Sequence, residues 1–112
     1  MHLENGQYRL SGGIDPLALV EQYGTPLYIY DAAIIQGQYQ RLKDAFDVPE
    51  LRLMYACKAL SNLSILQYMR ELGAGLDTVS IQEVQLGLHA GFQPHEIIYT
   101  PNCVSFAEIE QA

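Results

Sequence analysis

The sequence predicts an α/β protein built on a parallel sheet. From residue 51 onward, strand-like and helix-like segments alternate three times with short loops between them, and this order implies right-handed crossovers between parallel strands. No G-x-G-x-x-G or G-x-x-x-x-G-K motif follows a strand, which disfavours dinucleotide or nucleotide phosphate binding in the usual mode. Of the two common architectures, a doubly wound sheet and a (β/α)8 barrel, the barrel is therefore favoured.

The first 50 residues are predicted to contain a short helix, a strand and a longer helix. After an irregular, glycine-containing start, residues 17–23 form a helix that Gly24 ends, and the aromatic and β-branched residues 26–30 form a strand. Asp31 caps the longer helix. Lys43 of this helix is expected to be solvated. Apolar residues at i, i+4, i+7 and i+11 predict one buried stripe, which consists of Ile35, Tyr39, Leu42 and Phe46.

Each of the three repeats combines an apolar strand with a capped helix. The strands are predicted over residues 51–58, 75–79 and 97–100. Ser61 or Asn62 caps the first helix, and S-x-x-E capping boxes begin the other two, at Ser80 with Glu83 and at Ser105 with Glu108. Glycines end the first two helices, at Gly73 and Gly91. The apolar stripes of these two helices are Leu63, Leu66, Met69 and Leu72, and Ile81, Val84 and Leu88.

Composition excludes several classes of function. The formal net charge is −7 and the basic residues form no cluster, so nucleic acid and anionic membranes are unlikely partners. Neither a signal peptide nor a run of about 18 apolar residues is present, and a cytoplasmic location is predicted. Cys57 and Cys103 are expected to remain thiols. No metal site is expected, since His2, His89 and His95 fall at no ligand spacing with either cysteine.

Lys58 is the strongest candidate for chemistry. It is one of only two lysines in the chain and stands at the predicted C-terminal end of the first repeat's strand, the edge at which α/β folds place their active sites. An amine among apolar neighbours there could attack an aldehyde and form a Schiff base. Residues two apart in a strand share a face, so Ala56 should lie beside Lys58 and leave room for a flat ring.

Two acidic residues are secondary candidates. Asp77 falls in the next strand, where a carboxylate needs a partner, and Lys58 is the expected one because consecutive strands are usually neighbours. The alternative is that Asp77 lies beyond the strand end and faces water. Glu83 is explained by its capping box, although the same position also faces the strand ends and allows a direct catalytic role.

Four segments in combination resemble the N-terminal part of the diaminopimelate decarboxylases. They are "YGTPLYIYD" (residues 23–31), "YACKALSN" (55–62), "ELGAGLDTVSIQEVQLGLHAGF" (71–92) and "IIYTPN" (97–102). These enzymes belong to the pyridoxal-phosphate enzymes with an alanine-racemase-like barrel (fold type III). The resemblance implies PLP-dependent decarboxylation of meso-2,6-diaminoheptanedioate (diaminopimelate) to L-lysine, the last step of lysine biosynthesis.

The resemblance also implies roles for individual residues. Lys58 matches the family lysine that carries pyridoxal 5′-phosphate as an internal aldimine. Asp77 and Glu83 match acidic positions that line the cofactor side of the pocket, to which we add Ala56. Leu60 departs from the family, in which many members have asparagine after the K-A pair.

The same resemblance suggests how the chain is organised. Residues 1–30 would be an N-terminal segment with a strand that joins a C-terminal β-domain, and residues 31–112 would be the first repeats of a truncated PLP-binding (β/α)8 TIM barrel. A complete barrel needs about 250 residues. The phosphate-binding loop, the acid facing the pyridine nitrogen and the substrate-binding residues would lie beyond residue 112. We therefore expect this segment to be inactive alone, and the full-length protein to be a homodimer.

Three alternatives remain open at this point. The first is a related decarboxylase acting on ornithine, arginine or carboxynorspermidine, because the lysine motif does not select the substrate. The second is a non-catalytic homologue that binds pyridoxal phosphate. The third is an α/β interaction module in which Lys58 is incidental.

Overall fold

A computed structural model describes all 112 residues, Met1–Ala112. The chain divides into two compact units, residues 1–45 and residues 46–112. None of its helices has the length and apolar character needed to cross a membrane.

The first unit begins with a β-hairpin, not with the irregular segment expected from the sequence. Strands β1 (His2–Glu4) and β2 (Gln7–Arg9) pair antiparallel. The turn between them requires left-handed backbone, which Asn5 (φ 48°) and Gly6 (φ 78°) provide. An Asn-Gly pair is the strongest short-range signal for such a hairpin, so the hairpin could have been predicted from the sequence.

Two helices complete the first unit. Helix α1 (Pro16–Tyr23) ends at Gly24 as expected, where the glycine N–H donates to Val20 O at 2.8 Å. Helix α2 (Ala32–Asp44) is capped by Asp31, which accepts from the N–H groups of Ala33 and Ile34.

Hydrogen bonds also stabilise the ionised form of the helix cap. The pKa of Asp31 is lowered, first by hydrogen bonds from Ser11, whose N–H lies 2.9 Å from the carboxylate, and then by the N–H groups of Ile34 and Ala33.

Two predictions in this region are wrong. No strand forms over residues 26–30, where Tyr28 is 84% exposed; a strand needs a hydrogen-bonded neighbour, and these residues pair with none. The apolar stripe predicted for α2 is buried only at Tyr39. Leu42 is about half exposed, and so is Phe46, which lies beyond the end of the helix. Apolar spacing determines which face of a helix is apolar, but not whether another element covers it.

The second unit contains the predicted parallel sheet. Strands β3 (Met54–Ala56), β4 (Gly75–Thr78) and β5 (Ile97–Tyr99) lie in the order β3-β4-β5, and both pairings are parallel. Helices α3 (Leu63–Glu71), α4 (Ile81–His89) and α5 (Phe106–Gln111) follow the strands in turn. The predicted alternation is confirmed, but β3 is much shorter than residues 51–58 and ends in a 3₁₀ turn, Cys57–Ala59.

Local sequence signals begin and end the helices of this unit as expected. Asn62, not Ser61, caps α3, accepting from the N–H groups of Ser64 and Ile65. Gly73 (φ 89°) and Gly91 (φ 97°) adopt the left-handed conformation directly after α3 and α4. Ser105 and Glu108 form both bonds of the capping box that begins α5.

The core of this unit lies between one face of the sheet and helices α3 and α4. Its buried members are Cys57, Leu66, Leu76, Ala90 and Phe92. Alternation along the strands places Tyr55, Leu76 and Ile97 on this face. Ala56, Asp77 and Ile98 therefore share the opposite face, where Ile98 is 46% exposed. We call this second surface the open face.

The predicted apolar stripes of α3 and α4 are buried in part. Leu66, Met69, Ile81 and Val84 are buried, whereas Leu88 is 46% exposed.

Candidate functional site

The carboxyl ends of β3, β4 and β5 lie at one edge of the sheet, because the strands are parallel. This edge carries Lys58 after β3, Asp77 in β4, Glu83 in the first turn of α4 and Thr100 after β5. The edge thus brings together an amine, two carboxylates and a hydroxyl group.

Lys58 lies in the 3₁₀ turn and is exposed. Its neighbour Cys57 is fully buried in the core and anchors the turn. Tyr55 Oη donates to Leu60 O at 3.1 Å, which ties the strand to the end of the turn. This bond uses the Leu60 carbonyl, so the departure from the family side chain at that position does not affect it. The amine of Lys58 forms neither an ion pair nor a hydrogen bond.

The expected arrangement of Lys58 and Ala56 needs correction. Strand alternation cannot place both side chains on one face, because β3 ends at Ala56 and the chain turns at Cys57. Ala56 itself lies on the open face, directly opposite Asp77 in the register of β3 and β4. The small side chain is therefore next to the carboxylate.

Asp77 lies inside β4, and its partner is not Lys58. Thr100 Oγ1 donates a hydrogen bond to Asp77 Oδ1 at 2.7 Å. The predicted Asp77–Lys58 ion pair is wrong, since the turn takes Lys58 out of the strand register while the next strand supplies a hydroxyl. The alternative placement of Asp77 beyond the strand end is also wrong, because the residue is half-buried within the sheet.

Glu83 caps α4 in a modified form of the predicted box. Its N–H donates to Ser80 Oγ at 3.2 Å, while its Oε2 accepts from the N–H of Val79 at 2.7 Å, one residue before the capping serine. Its charge also acts on the turn before Lys58. Burial raises the pKa of the Cys57 thiol, and the Glu83 carboxylate raises it further.

Thr100 is the site residue that sequence reasoning missed. A signal was present, because Pro101 follows it and disfavours helical backbone in the preceding residue. An extended Thr100 lies two residues after Ile98 and therefore on the same face as Ile98 and Asp77.

A parallel βα sheet with a free lysine and two carboxylates at its strand ends defines a candidate cofactor-binding enzyme domain. Residues 32–112 match the model of the pyridoxal binding domain of the pyridoxal-dependent decarboxylases, and the chain belongs to this family. The predicted cofactor is thus confirmed at the level of the family.

Individual relatives agree with this assignment. The chain is 42% identical over 105 residues to the diaminopimelate decarboxylase of Methanothermobacter thermautotrophicus, covering 92% of this chain and 24% of that protein. Among solved structures, it resembles diaminopimelate decarboxylase from M. jannaschii with a TM-score of 0.87 and 29% identity, covering 98% of this chain and 26% of the other. The resemblance to diaminopimelate decarboxylases is confirmed.

A further structural neighbour has a different name. Lysine/ornithine decarboxylase from Vibrio vulnificus, complexed with putrescine, gives a TM-score of 0.77 at 33% identity, covering 85% of this chain and 26% of that one. The predicted fold class, the N-terminal α/β part of this decarboxylase fold, is confirmed. The chain spans about a quarter of the length of the curated relatives that it matches.

Proposed function

We propose that this chain is the N-terminal part of a pyridoxal-phosphate-dependent carboxy-lyase that converts meso-diaminopimelate to L-lysine. The observation that carries the proposal is the unpaired Lys58 at the sheet edge, within the residues that match the pyridoxal binding domain. Relatives named diaminopimelate decarboxylase at 42% and 41% identity support this substrate.

The residues present suit pyridoxal phosphate. An aldehyde requires a primary amine that is free to react, and Lys58 is exposed and has no partner. A flat ring requires a small neighbour, which Ala56 supplies on the open face beside Asp77. We assign Lys58 as the catalytic residue that holds the cofactor, and Ala56, Asp77 and Glu83 as residues that line its site.

Bound at this edge, pyridoxal phosphate would supply an electron sink for the charge that loss of CO2 leaves at the substrate Cα. The residues of this chain hold the groups that would surround the cofactor. The Tyr55–Leu60 hydrogen bond and the buried Cys57 hold the backbone of the turn that presents the Lys58 amine. The Val79 N–H fixes the Glu83 carboxylate at the start of α4.

Two lysine variants of the full-length protein test the proposal. Purified with pyridoxal phosphate, the protein should release L-lysine and CO2 from meso-diaminopimelate and show the visible absorbance of the bound cofactor. Lys58→Ala should lose both properties. Lys43→Ala is the matched control, because Lys43 is the only other lysine in residues 1–112 and lies exposed on α2; it should keep both. A Lys58→Ala protein with unchanged absorbance would overturn the cofactor assignment.

A decarboxylase of lysine or ornithine is the second candidate, favoured by the similarity to the Vibrio vulnificus enzyme. The same protein should then form cadaverine or putrescine faster than it forms lysine from diaminopimelate. Arginine and carboxynorspermidine complete the substrate panel. Cofactor absorbance without turnover of any of them would identify a non-catalytic homologue, and no absorbance at all would favour the interaction module.

We further propose that residues 1–30 and 31–112 belong to different parts of the full-length protein, the second part to a closed (β/α)8 barrel, and that the protein works as a cytoplasmic homodimer. Residues 1–112 alone should not form lysine. Light scattering on the full-length protein checks the homodimer. A lysine assay on the isolated segment checks its inactivity, and any measurable product would contradict that prediction.

A further inference from the structure

The hydroxyl group of Thr100 donates a hydrogen bond to Asp77 at the sheet edge. Its oxygen lies 2.7 Å from Asp77 Oδ1 and 3.4 Å from Thr78 O. A hydroxyl has one proton to donate, and the shorter, charge-assisted bond to the carboxylate is the stronger of the two. The proton of Thr100 therefore belongs to Asp77.

The backbone fixes Thr100 for this bond. Its N–H continues the β4–β5 ladder by donating to Thr78 O at 2.8 Å, and Pro101 disfavours any helical conformation at Thr100. Thr100 thus enters the site with its backbone already held. The bond it makes occupies one oxygen of Asp77, and the structure assigns no other hydrogen bond to this carboxylate.

Lys58 is a candidate for a competing partner of Asp77, because both residues lie at the same edge of the sheet. The turn Cys57–Ala59 contacts β4, and Ala56, two residues before Lys58, lies directly opposite Asp77. A carboxylate and an ammonium at neighbouring strand ends would attract each other, yet Asp77 is bonded to Thr100 and Lys58 has no partner.

We propose that Thr100 is a positioning residue that holds the Asp77 carboxylate away from Lys58, so that the lysine amine stays free to take up the cofactor. This inference rests on the proposed function. Uptake would join Lys58 Nζ to the aldehyde carbon: the ammonium first gives one proton to solvent, and its two remaining hydrogens leave with the aldehyde oxygen as water. An ammonium paired with Asp77 reacts slowly, because it must lose both its partner and a proton before its lone pair can attack.

The test measures loading of the full-length apoprotein with pyridoxal phosphate, followed by absorbance in a stopped-flow instrument. Thr100→Val keeps the shape of the side chain and removes the hydroxyl. It should reduce the loading rate constant roughly tenfold, since a hydrogen bond to a charged group corresponds to about that factor or more. Thr100→Ser keeps the hydroxyl and should load at close to the wild-type rate.

Asp77→Asn supplies the control that separates positioning from a general structural effect. In the Asp77→Asn background no carboxylate is available to pair with Lys58, so adding Thr100→Val should cause no further slowing. Equal slowing in both backgrounds, or a Thr100→Val protein that loads like wild type, would overturn the inference while leaving the proposed function intact.

Two further outcomes are also decisive. If wild-type protein took up no pyridoxal phosphate, the proposed function would fall and this inference with it. If Thr100→Val did not fold by circular dichroism, Thr100→Ala, which also lacks the hydroxyl, would replace it, and Thr100→Ala that loads at the wild-type rate would overturn the inference.

Discussion

Gly87→Ala tests how closely α4 packs on the sheet. Gly87 is buried within α4, and a Cβ added there would lie 2.5 Å from Leu76 Cδ2 and 3.2 Å from Ile97 Cδ1. Leu76 is fully buried in the core and cannot swing into solvent. The added methyl group must therefore displace α4 or force the Leu76 side chain to move.

Two effects of opposite sign determine how much Gly87→Ala changes the free energy of unfolding. Alanine in place of glycine inside a helix gains up to about 1 kcal/mol from backbone entropy. Overpacking a closely packed core costs roughly 1–3 kcal/mol. The packing cost should exceed the gain, and we expect Gly87→Ala to lower the free energy of unfolding by about 1 kcal/mol. Gly37→Ala in α2 is the matched control, because nothing lies within 4 Å of its added Cβ; it should be stabilising.

Urea-induced unfolding followed by circular dichroism provides the assay. The signs of the two shifts are compared, not their sizes, because Gly37 and Gly87 lie in different units. Leu76→Val removes the carbon that the new methyl group would meet, so Gly87→Ala should cost less in that background. If Gly87→Ala raised the midpoint as Gly37→Ala does, the close contact between helix and sheet would be refuted.

Three further predictions concern capping, reactivity and pH. Asn62→Ala should destabilise the protein by about 1 kcal/mol, whereas Ser61→Ala, one residue earlier, should have little effect in the same urea assay. Iodoacetamide at neutral pH should alkylate exposed Cys103 and spare buried Cys57 until the protein unfolds, as mass spectrometry would show; equal labelling would contradict the burial of Cys57 and its raised pKa. The lowered pKa of Asp31 means that its contribution to stability is present above the ordinary value of 3.8 and is lost as pH falls through the lower folded-state value; Asp31→Ala should lack this part of the acid dependence of unfolding.

The sequence predicted the local features of the second unit because each depends on hydrogen bonds within a few residues. The amide of Asn62 caps α3 through N–H groups two and three residues later. Gly73 ends the same helix because its backbone can turn left-handed there. The strand-helix alternation followed from such signals, and the parallel order of the sheet followed from the alternation.

Local reasoning failed where the outcome depended on a second element. The strand predicted over residues 26–30 has no neighbour to pair with, and Phe46 has the spacing of a buried residue but no covering surface. The hairpin around Asn5 and Gly6 was different, because its turn signal was present in the sequence and was overlooked.

The candidate site shows the same division. By itself the sequence placed Lys58 near the end of the first strand of the sheet and Asp77 in the next, since apolar runs, caps and glycines indicate the order of strands and helices. Only the tertiary structure decided that the chain turns at Cys57, that Lys58 stays unpaired and that Asp77 bonds to Thr100. These contacts join residues up to 23 positions apart, and a bond between two strands depends on how the two strands pair, which neither strand determines alone.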